Sequence, residues 1–346
     1  MGLVLLLCIF LGAVTLWYGR YPDQPGPSRA AAVTVEIAPG SGLAGIKKRL
    51  VAAGVIPDDI RFILLAKQLG LARLLKAGEY AFPPGATPRE VLRALAEGRV
   101  VLHAITLAEG LTIHQAAEVI QTGGWGGREE FLGVLADPGV IKGFGLTGVT
   151  LEGYLFPDTY FFAKGTPLRT MVTTMVKRMQ RVLAEEEGRA TLPAGVQAQP
   201  PGADGEVSPR LSRHQVLTLA SIIEKETALA AERPLVAKVF LNRLRTGMRL
   251  QADPTVIYGL AKFGEPLTKA DLSTPNPYNT YSQPGLPHGP ICSPGRTAIV
   301  AVYHPAPLDY YYFVAQNDGS HYFSRTLDEH NRAVARYRKK RLSNGE

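Results

Sequence analysis

The sequence predicts an α+β fold in which two domains follow an apolar N-terminal segment. Residues 33–123 repeat a unit of short strand, glycine turn and helix. From about residue 107 the pattern changes to longer helices separated by loops rich in proline and glycine. The chain has 346 residues, which is enough for a core in each domain. We therefore expect a small α+β domain followed by a larger, mainly helical α+β domain.

Residues 2–18 are predicted to form a transmembrane anchor. They are apolar except for Thr15 and the Tyr18 hydroxyl, and no charged residue precedes Arg20. About 17 residues is the lower limit for crossing a bilayer core. A cleaved signal peptide is the alternative, but the segment lacks a basic start and a clear small-residue cleavage site. Residues 19–32, rich in proline and glycine, are predicted to form a linker.

The small domain is predicted at residues 33–106. Three strand-like runs each lead to a glycine turn, at Pro39-Gly40, Pro84-Gly85 and Glu109-Gly110. Aliphatic or small residues follow six and ten positions after each glycine, and this spacing of four puts each pair on one helical face: Ile46 and Leu50, Val91 and Leu95, and Ala116 and Ile120. The third copy is expected to begin the next domain, and a further helix is predicted over residues 58–75.

The larger domain is predicted at residues 107–342. Its helices are expected at 112–122, 128–136, 168–187, 212–229, 232–246 and 329–341. Residues 188–211 have few large apolar side chains and are interpreted as a mobile insertion.

The run Leu219–Thr227 carries two carboxyl groups, Glu224 and Glu226, at the end of an apolar helical stretch. The residues expected to face the core are Val216, Leu219, Ala220, Ile223 and Thr227. At 100° per residue the two glutamates lie about 200° apart, on opposite borders of that face. They cannot form a facing acid/base pair. Periodicity does not choose between them, and either could instead form a surface ion pair.

A polar groove is predicted next to this helix. Asp253-Pro254 is typical of a helix start, with aspartate as N-cap and proline at N1. Residues 273–295 form a long loop with six prolines, and such loops inside compact domains tend to be functional. The candidate substrate-binding residues are Gln251, Asp253, Thr255, Tyr258, Asn279 and Tyr281.

Other site chemistry finds little support in the sequence. His321 and His330 lack the spacing of a metal site, and no metal or other cofactor is predicted. Residues 151–162 are rich in aromatic side chains and are interpreted as core, with Glu152 as the notable polar side chain. The net charge is +8, with six cations between Arg332 and Arg341. Tyr337 is the one aromatic residue among these cations and does not make an aromatic-interleaved stripe, so this basic tail is interpreted as a solvated helix end and no nucleic-acid partner is expected.

Several motifs together resemble the YceG-like endolytic murein transglycosylases, the MltG family. They are A-S-I-I-E-K-E-T, E-R-P-L-V-A-K-V-F-L-N-R-L, L-Q-A-D-P-T-V-I-Y-G, Y-N-T-Y with G-L-P-H-G-P-I-C-S-P-G, and G-S-H-Y-F-S, preceded by E-G-Y-L-F-P-D-T-Y. They cover residues 151–334 in the family's order. One departure is His288, where the family usually has a second proline.

The resemblance implies a single-pass protein of the bacterial plasma membrane with its body outside the cytoplasm. It also implies a LysM-like subdomain at residues 33–106 and a catalytic domain that cleaves peptidoglycan glycan strands between N-acetylmuramic acid and N-acetylglucosamine, leaving a 1,6-anhydro end. Such cleavage would limit the elongation of nascent strands. By the resemblance, the catalytic acid is Glu224, the first glutamate of E-K-E. One carboxyl group suffices because the attacking hydroxyl belongs to the substrate. Peptidoglycan synthases are candidate partners that the sequence does not identify.

A non-catalytic, membrane-anchored scaffold that binds the cell wall is the alternative function. Such a protein would need neither the stiff loop nor the glutamate pair. Glycan binding without turnover would favour it.

Overall fold

The structure is a computed structural model that describes residues 2–190 and 211–343. The fold is α+β, as predicted, and the chain divides into two compact units. The first unit comprises Met1–Ala104 and Phe161–Thr166, and the second comprises Ile105–Tyr160 and Pro167–Glu346. Most of the predicted insertion, residues 191–210, lies outside the described residues.

The first unit is built from two copies of the predicted strand, turn and helix. Its elements are α1 (Gly2–Gly19), β1 (Val33–Ile37), α2 (Leu43–Ala52), α3 (Arg61–Gln68), β2 (Gly78–Phe82) and α4 (Pro88–Glu97), followed by β3 (Leu102–Thr106), which crosses the unit boundary. β1 and β2 pair antiparallel, with Val35 opposite Tyr80. Gly40 and Gly85 both adopt positive φ, which only glycine does without strain. The helical pairs that follow them are buried, so the repeat prediction is confirmed here.

One expectation for this unit needs correction, and another is not confirmed. The helix predicted over 58–75 covers only Arg61–Gln68, because Gly70 takes φ +70° and turns the chain out of the helix. The apolar segment 2–18 is helical, as part of α1. However, no helix within the described ranges is long and apolar enough to cross a membrane, so the predicted span is not confirmed.

The second unit is mainly helical. Its elements are α5 (Ile113–Thr122), α6 (Arg128–Leu135), α7 (Pro138–Gly143), β4 (Thr159–Ala163, which also crosses the unit boundary), α8 (Leu168–Arg189), α9 (Arg213–Glu226), α10 (Arg233–Arg245), α11 (Asp253–Gly259), α12 (Lys269–Ser273), α13 (Arg296–Tyr303), β5 (Tyr312–Ala315), β6 (His321–Ser324) and α14 (Leu327–Ser343). The six helices predicted for this region are confirmed to within three residues at each end. β3 pairs with β4, and β5 with β6.

Helix α9 lies at the centre of the second unit. It packs against α10, α11 and α13. Ser212 and Gln215 form a capping box that satisfies the first backbone N–H groups. Every residue from Val216 to Ile223 is buried, including the face predicted for the core. Because protein surrounds the helix along this length, it reaches the surface only at its two ends, and the last turn carries Glu224, Lys225 and Glu226.

Candidate active site

The two glutamates at the end of α9 have different surroundings. Glu224 is held by an ion pair: its Oε1 accepts a hydrogen bond from Arg233 Nη2 at 2.7 Å, and its Oε2 accepts from the Gly295 N–H at 2.9 Å. The Glu224 and Arg233 side chains are only 6% and 8% exposed. Burial raises the pKa of Glu224, while the Gly295 N–H and the Arg233 charge oppose that rise. Both carboxylate oxygens are therefore engaged by donors that favour the ionised form.

Glu226 points to the other border of the helix, as the spacing predicted. Burial and the nearby negative charge of Asp253 raise its pKa from an ordinary value near 4.5 to about 8, with Arg243 acting in the opposite direction. The residue nevertheless keeps part of its surface exposed. Its carboxyl group has no hydrogen-bond partner among residues 2–190 and 211–343. Glu226 can therefore hold a proton at neutral pH and is free to give it to a ligand.

The start of α11 is joined to the long loop beside Glu226. Thr280 makes the contacts of this joint between the loop and the helix. Its hydroxyl accepts a hydrogen bond from the Ala252 N–H at 3.0 Å and lies 2.9 Å from the Thr255 hydroxyl. Its carbonyl accepts a hydrogen bond from the Gln251 N–H at 3.2 Å. Tyr281 then donates to Asp253 Oδ1 at 2.5 Å. This joint sets the positions of Asp253 and Tyr281.

The helix-start prediction was right in place but wrong in detail. Ala252 is the N-cap, and Asp253 is the first helical residue. The Asp253 carboxylate makes no cap bond because it accepts the Tyr281 hydroxyl instead. Gln251, exposed just before the helix, has φ +50°, an uncommon conformation for a residue other than glycine. Such strain is often found at functional sites.

The six candidate substrate-binding residues fall into separate groups. Asp253 and Tyr281 reach the surface near Glu226, and Gln251 is exposed two residues before Asp253. Thr255 and Asn279 are fully buried. Asn279 donates to the carbonyls of Leu272 and Thr274, and its own side-chain oxygen accepts from the Tyr281 N–H. Thr255 and Asn279 thus act as buried structural residues and do not reach the surface that carries Asp253 and Tyr281.

Tyr258, the sixth candidate, belongs to a different cluster. Its hydroxyl donates to Glu152 at 3.0 Å, and its ring lies edge-on to Tyr278 with centroids 4.7 Å apart. Glu152 is buried and also accepts from the backbone N–H groups of Ile113 and Gly153. Burial raises the pKa of Glu152 to about 7, although these hydrogen bonds oppose the rise. The prediction that residues 151–162 are largely core is confirmed, since most of them are buried.

Sequence reasoning missed the partners that distinguish the two glutamates. Arg233 was interpreted only as part of an amphipathic helix, and Gly295 as part of a loop. Glu109 was noted only for the turn with Gly110, yet its carboxylate lies 3.6 Å from Arg233. A Cβ added at Gly295 would meet the carboxylate of Glu109, which is the end of a flexible, half-exposed side chain. The one available signal was the arginine in the E-R-P-L motif.

A cavity of about 450 Å³ opens at the opposite end of α9, beside Tyr154, Gln180 and His214. Ser212 already caps the helix there, and no carboxyl group is among the described residues that line the cavity. The part of the chain that the structure describes also contains no group of residues able to hold a metal ion. The end of α9 therefore remains the candidate site.

Comparisons with known proteins identify what the chain as a whole is similar to. The model of the YceG-like family matches residues 35–336. An endolytic murein transglycosylase from Bacillus subtilis is 32% identical over 88% of this chain and 84% of its own length. One from Streptococcus pneumoniae is 29% identical over 90% of this chain, which spans 59% of that longer protein. The 2.6 Å crystal structure of a putative yceG-like protein from Listeria monocytogenes has a TM-score of 0.57 at 33% identity, covering 87% of this chain and 98% of that one.

Proposed function

Because the chain belongs to the YceG-like family, we propose that it is a lytic transglycosylase that cleaves the glycan strands of peptidoglycan. The relatives named endolytic murein transglycosylase support this assignment. The observation that carries it is the carboxyl group of Glu226, which stays protonated near neutral pH and has no hydrogen-bond partner among the described residues. A general acid for glycosidic bond cleavage needs these two properties.

The proposed acid is Glu226, which revises the choice of Glu224 taken from the family resemblance. With a pKa of about 8, Glu226 would be about nine-tenths protonated at pH 7. Glu224 has both oxygens committed to Arg233 and Gly295. Protonating it would weaken a buried ion pair, which is costly because Arg233 would lose its closest counter-charge. We assign Glu224 to holding the end of α9.

In the proposed reaction, Glu226 donates its proton to the oxygen that links N-acetylmuramic acid to N-acetylglucosamine. The C1–O bond breaks, and positive charge develops at C1 of the muramic acid. The C6 hydroxyl of the same sugar attacks C1, and the Glu226 carboxylate takes its proton, so that a 1,6-anhydro ring forms and the glutamate returns to its starting state. The attack is intramolecular, which removes the entropic cost of bringing in a second reactant.

Asp253 supplies a second negative charge to this reaction. The proton transfers need only one carboxyl group because the attacking hydroxyl belongs to the substrate, and Asp253 approaches Glu226 from another element as a second one. Its Oδ1 accepts a hydrogen bond from the Tyr281 hydroxyl. We propose that Asp253 stabilises the charge at C1 and that Gln251 and Tyr281 contact the sugar.

The test compares purified, stem-bearing wall glycan treated with wild type, Glu226→Gln and Glu224→Gln, with products identified by mass spectrometry. We expect anhydro-ended products from wild type and from folded Glu224→Gln, and none from Glu226→Gln. Full activity in Glu226→Gln would refute the assignment of the acid. Products with reducing ends would identify a hydrolase, and glycan binding without turnover would favour the scaffold function.

We further propose a location in the bacterial cell envelope, with residues 2–18 as the anchor and the second unit outside the cytoplasm. The support is the absence of charged residues in this segment of the sequence and the cell-wall substrate of the named relatives. We also propose that the first unit is LysM-like and that the protein associates with peptidoglycan synthases. Recovery of the full chain in the alkali-extracted membrane pellet would support the anchor, and recovery in the supernatant would contradict it.

A further inference from the structure

Two consecutive residues at the start of α10 hold the chain on both sides of Glu226. Arg233 forms the ion pair with Glu224, two positions before Glu226. Glu232 accepts a hydrogen bond at 3.2 Å from the hydroxyl of Thr227, the residue directly after Glu226. Residues at the start of α10 therefore bind the end of α9 at two points, one before and one after the proposed acid.

Thr227 is the residue at which the chain leaves the helix. Its backbone is extended, with φ −141°, and only 3% of its surface is exposed. Its N–H still donates to the Ile223 carbonyl at 3.3 Å, and its hydroxyl accepts from the Leu229 N–H at 3.1 Å. Loss of this hydroxyl would free the last helical turn from the segment that follows.

Glu232 is in turn fixed by His321 of β6. The backbone N–H of His321 donates to Glu232 Oε1 at 2.8 Å, and the Nδ1 atom lies 2.7 Å from Glu232 Oε2. A carboxylate only accepts hydrogen bonds, so Nδ1 must carry a proton in this contact. The two side chains are 12% and 13% exposed, which distinguishes the contact from an exposed surface ion pair.

The carboxyl group of Glu226 has no hydrogen bond of its own to other described residues, so its direction depends on the backbone that carries it. We propose that Thr227, Glu232 and His321 are positioning residues that hold Glu226 in its reactive orientation. This inference rests on the proposed function and gives a role to two motifs that the mechanism does not use, E-R-P-L and G-S-H-Y-F-S. Pre-organised groups of this kind keep a reacting side chain within a fraction of an ångström of its working position.

The chain offers a matched control on the same helix. Thr218 is as buried as Thr227, and its hydroxyl donates to the His214 carbonyl at 2.8 Å. Replacing either threonine by valine keeps the side-chain shape and removes one buried hydroxyl. We expect Thr227→Val to lower kcat about tenfold with KM within about twofold, Thr218→Val to leave both within about twofold, and Thr227→Ser to restore kcat. His321→Asn removes the imidazole without altering α9 and should lower kcat in the same way.

A second readout does not depend on turnover. The ¹³C resonance of the Glu226 carboxyl should titrate near pH 8 in wild type and in Thr218→Val. In Thr227→Val the midpoint should fall by about one unit or more, because a loosened helix end admits water. Equal kcat values and equal midpoints in the two valine variants would overturn the inference. If wild type released no anhydro products, the proposed function would fail, while the titration would still decide whether Thr227 positions Glu226.

Discussion

Replacing Glu226 by glutamine should change how the stability of the protein depends on pH. In the folded chain the pKa of Glu226 is raised from near 4.5 to about 8. Between these values the folded state keeps a proton that the unfolded state has released. Wild type therefore loses folding free energy as pH rises through this window, with a limiting slope of about 1.4 kcal/mol per pH unit from this group. Glutamine does not titrate, so Glu226→Gln does not lose folding free energy through this side chain as the pH rises.

The expected size follows from the same two pKa values. Between pH 5 and pH 7.5, the titration of Glu226 should lower the stability of wild type relative to Glu226→Gln by about 3 kcal/mol. Glu226 is partly exposed, so solvent and local relaxation should reduce this difference to about 1.5–3 kcal/mol. For a unit of this size each kcal/mol corresponds to about 2–4 °C in Tm.

The assay is urea or thermal unfolding of wild type and Glu226→Gln at several pH values across that window. Other titrating groups contribute equally to both proteins and largely cancel in the difference. The control is Glu118→Gln, which changes an exposed glutamate on α5. If the difference in unfolding free energy between wild type and Glu226→Gln changes by less than about 0.5 kcal/mol from pH 5 to pH 7.5, the raised pKa of Glu226 is refuted. The choice of Glu226 as the acid would be refuted with it.

Further expectations concern the surroundings of the site. Asp253→Asn removes a charge that raises the pKa of Glu226, so the alkaline limb of the kcat profile should move to lower pH, and an unmoved limb would contradict the coupling. Gly153→Ala should destabilise the protein by about 2 kcal/mol more than Gly145→Ala in urea unfolding. Both glycines have positive φ, but only at Gly153 would a Cβ meet other atoms, and equal losses would refute the clash. Arg233→Met leaves a buried carboxylate unpaired and should cost about 3–5 kcal/mol by the same measurement, whereas a loss below about 1 kcal/mol would contradict the buried pair.

Much of the fold could be predicted because local rules determine it. The unit of strand, glycine turn and helix could be predicted because both of its signals lie within a short segment of sequence. They are a glycine with positive φ and two apolar residues four positions apart, as at Gly40 with Ile46 and Leu50. The shortened helix α3 was missed because its apolar pattern continues past Gly70, where the backbone leaves the helix.

The candidate site could be predicted only in part. Helical spacing separated Glu224 from Glu226, but their difference comes from Arg233, Gly295 and Asp253, which other segments bring to them. From residue type alone, a polar side chain at the surface of the site also cannot be distinguished from one that is buried beneath that surface. Asn279 and Tyr281 belong to one motif, yet Asn279 is fully buried and Tyr281 is partly exposed.

The two backbone hydrogen bonds between the Gly110 turn and Ser293 have a consequence for the order of folding. Gly110 N–H donates to the Ser293 carbonyl at 2.9 Å, and Ser293 N–H donates to the Leu111 carbonyl at 2.8 Å. They join segments that lie far apart in the sequence of the second unit, and Gly295, two residues after Ser293, is the residue that binds Glu224. A chain emerging from the ribosome N-terminus first cannot complete this closure until its last third has been made. Because Gly295 holds Glu224 at the end of α9, the support of the helical turn that carries Glu226 would be completed only late in folding.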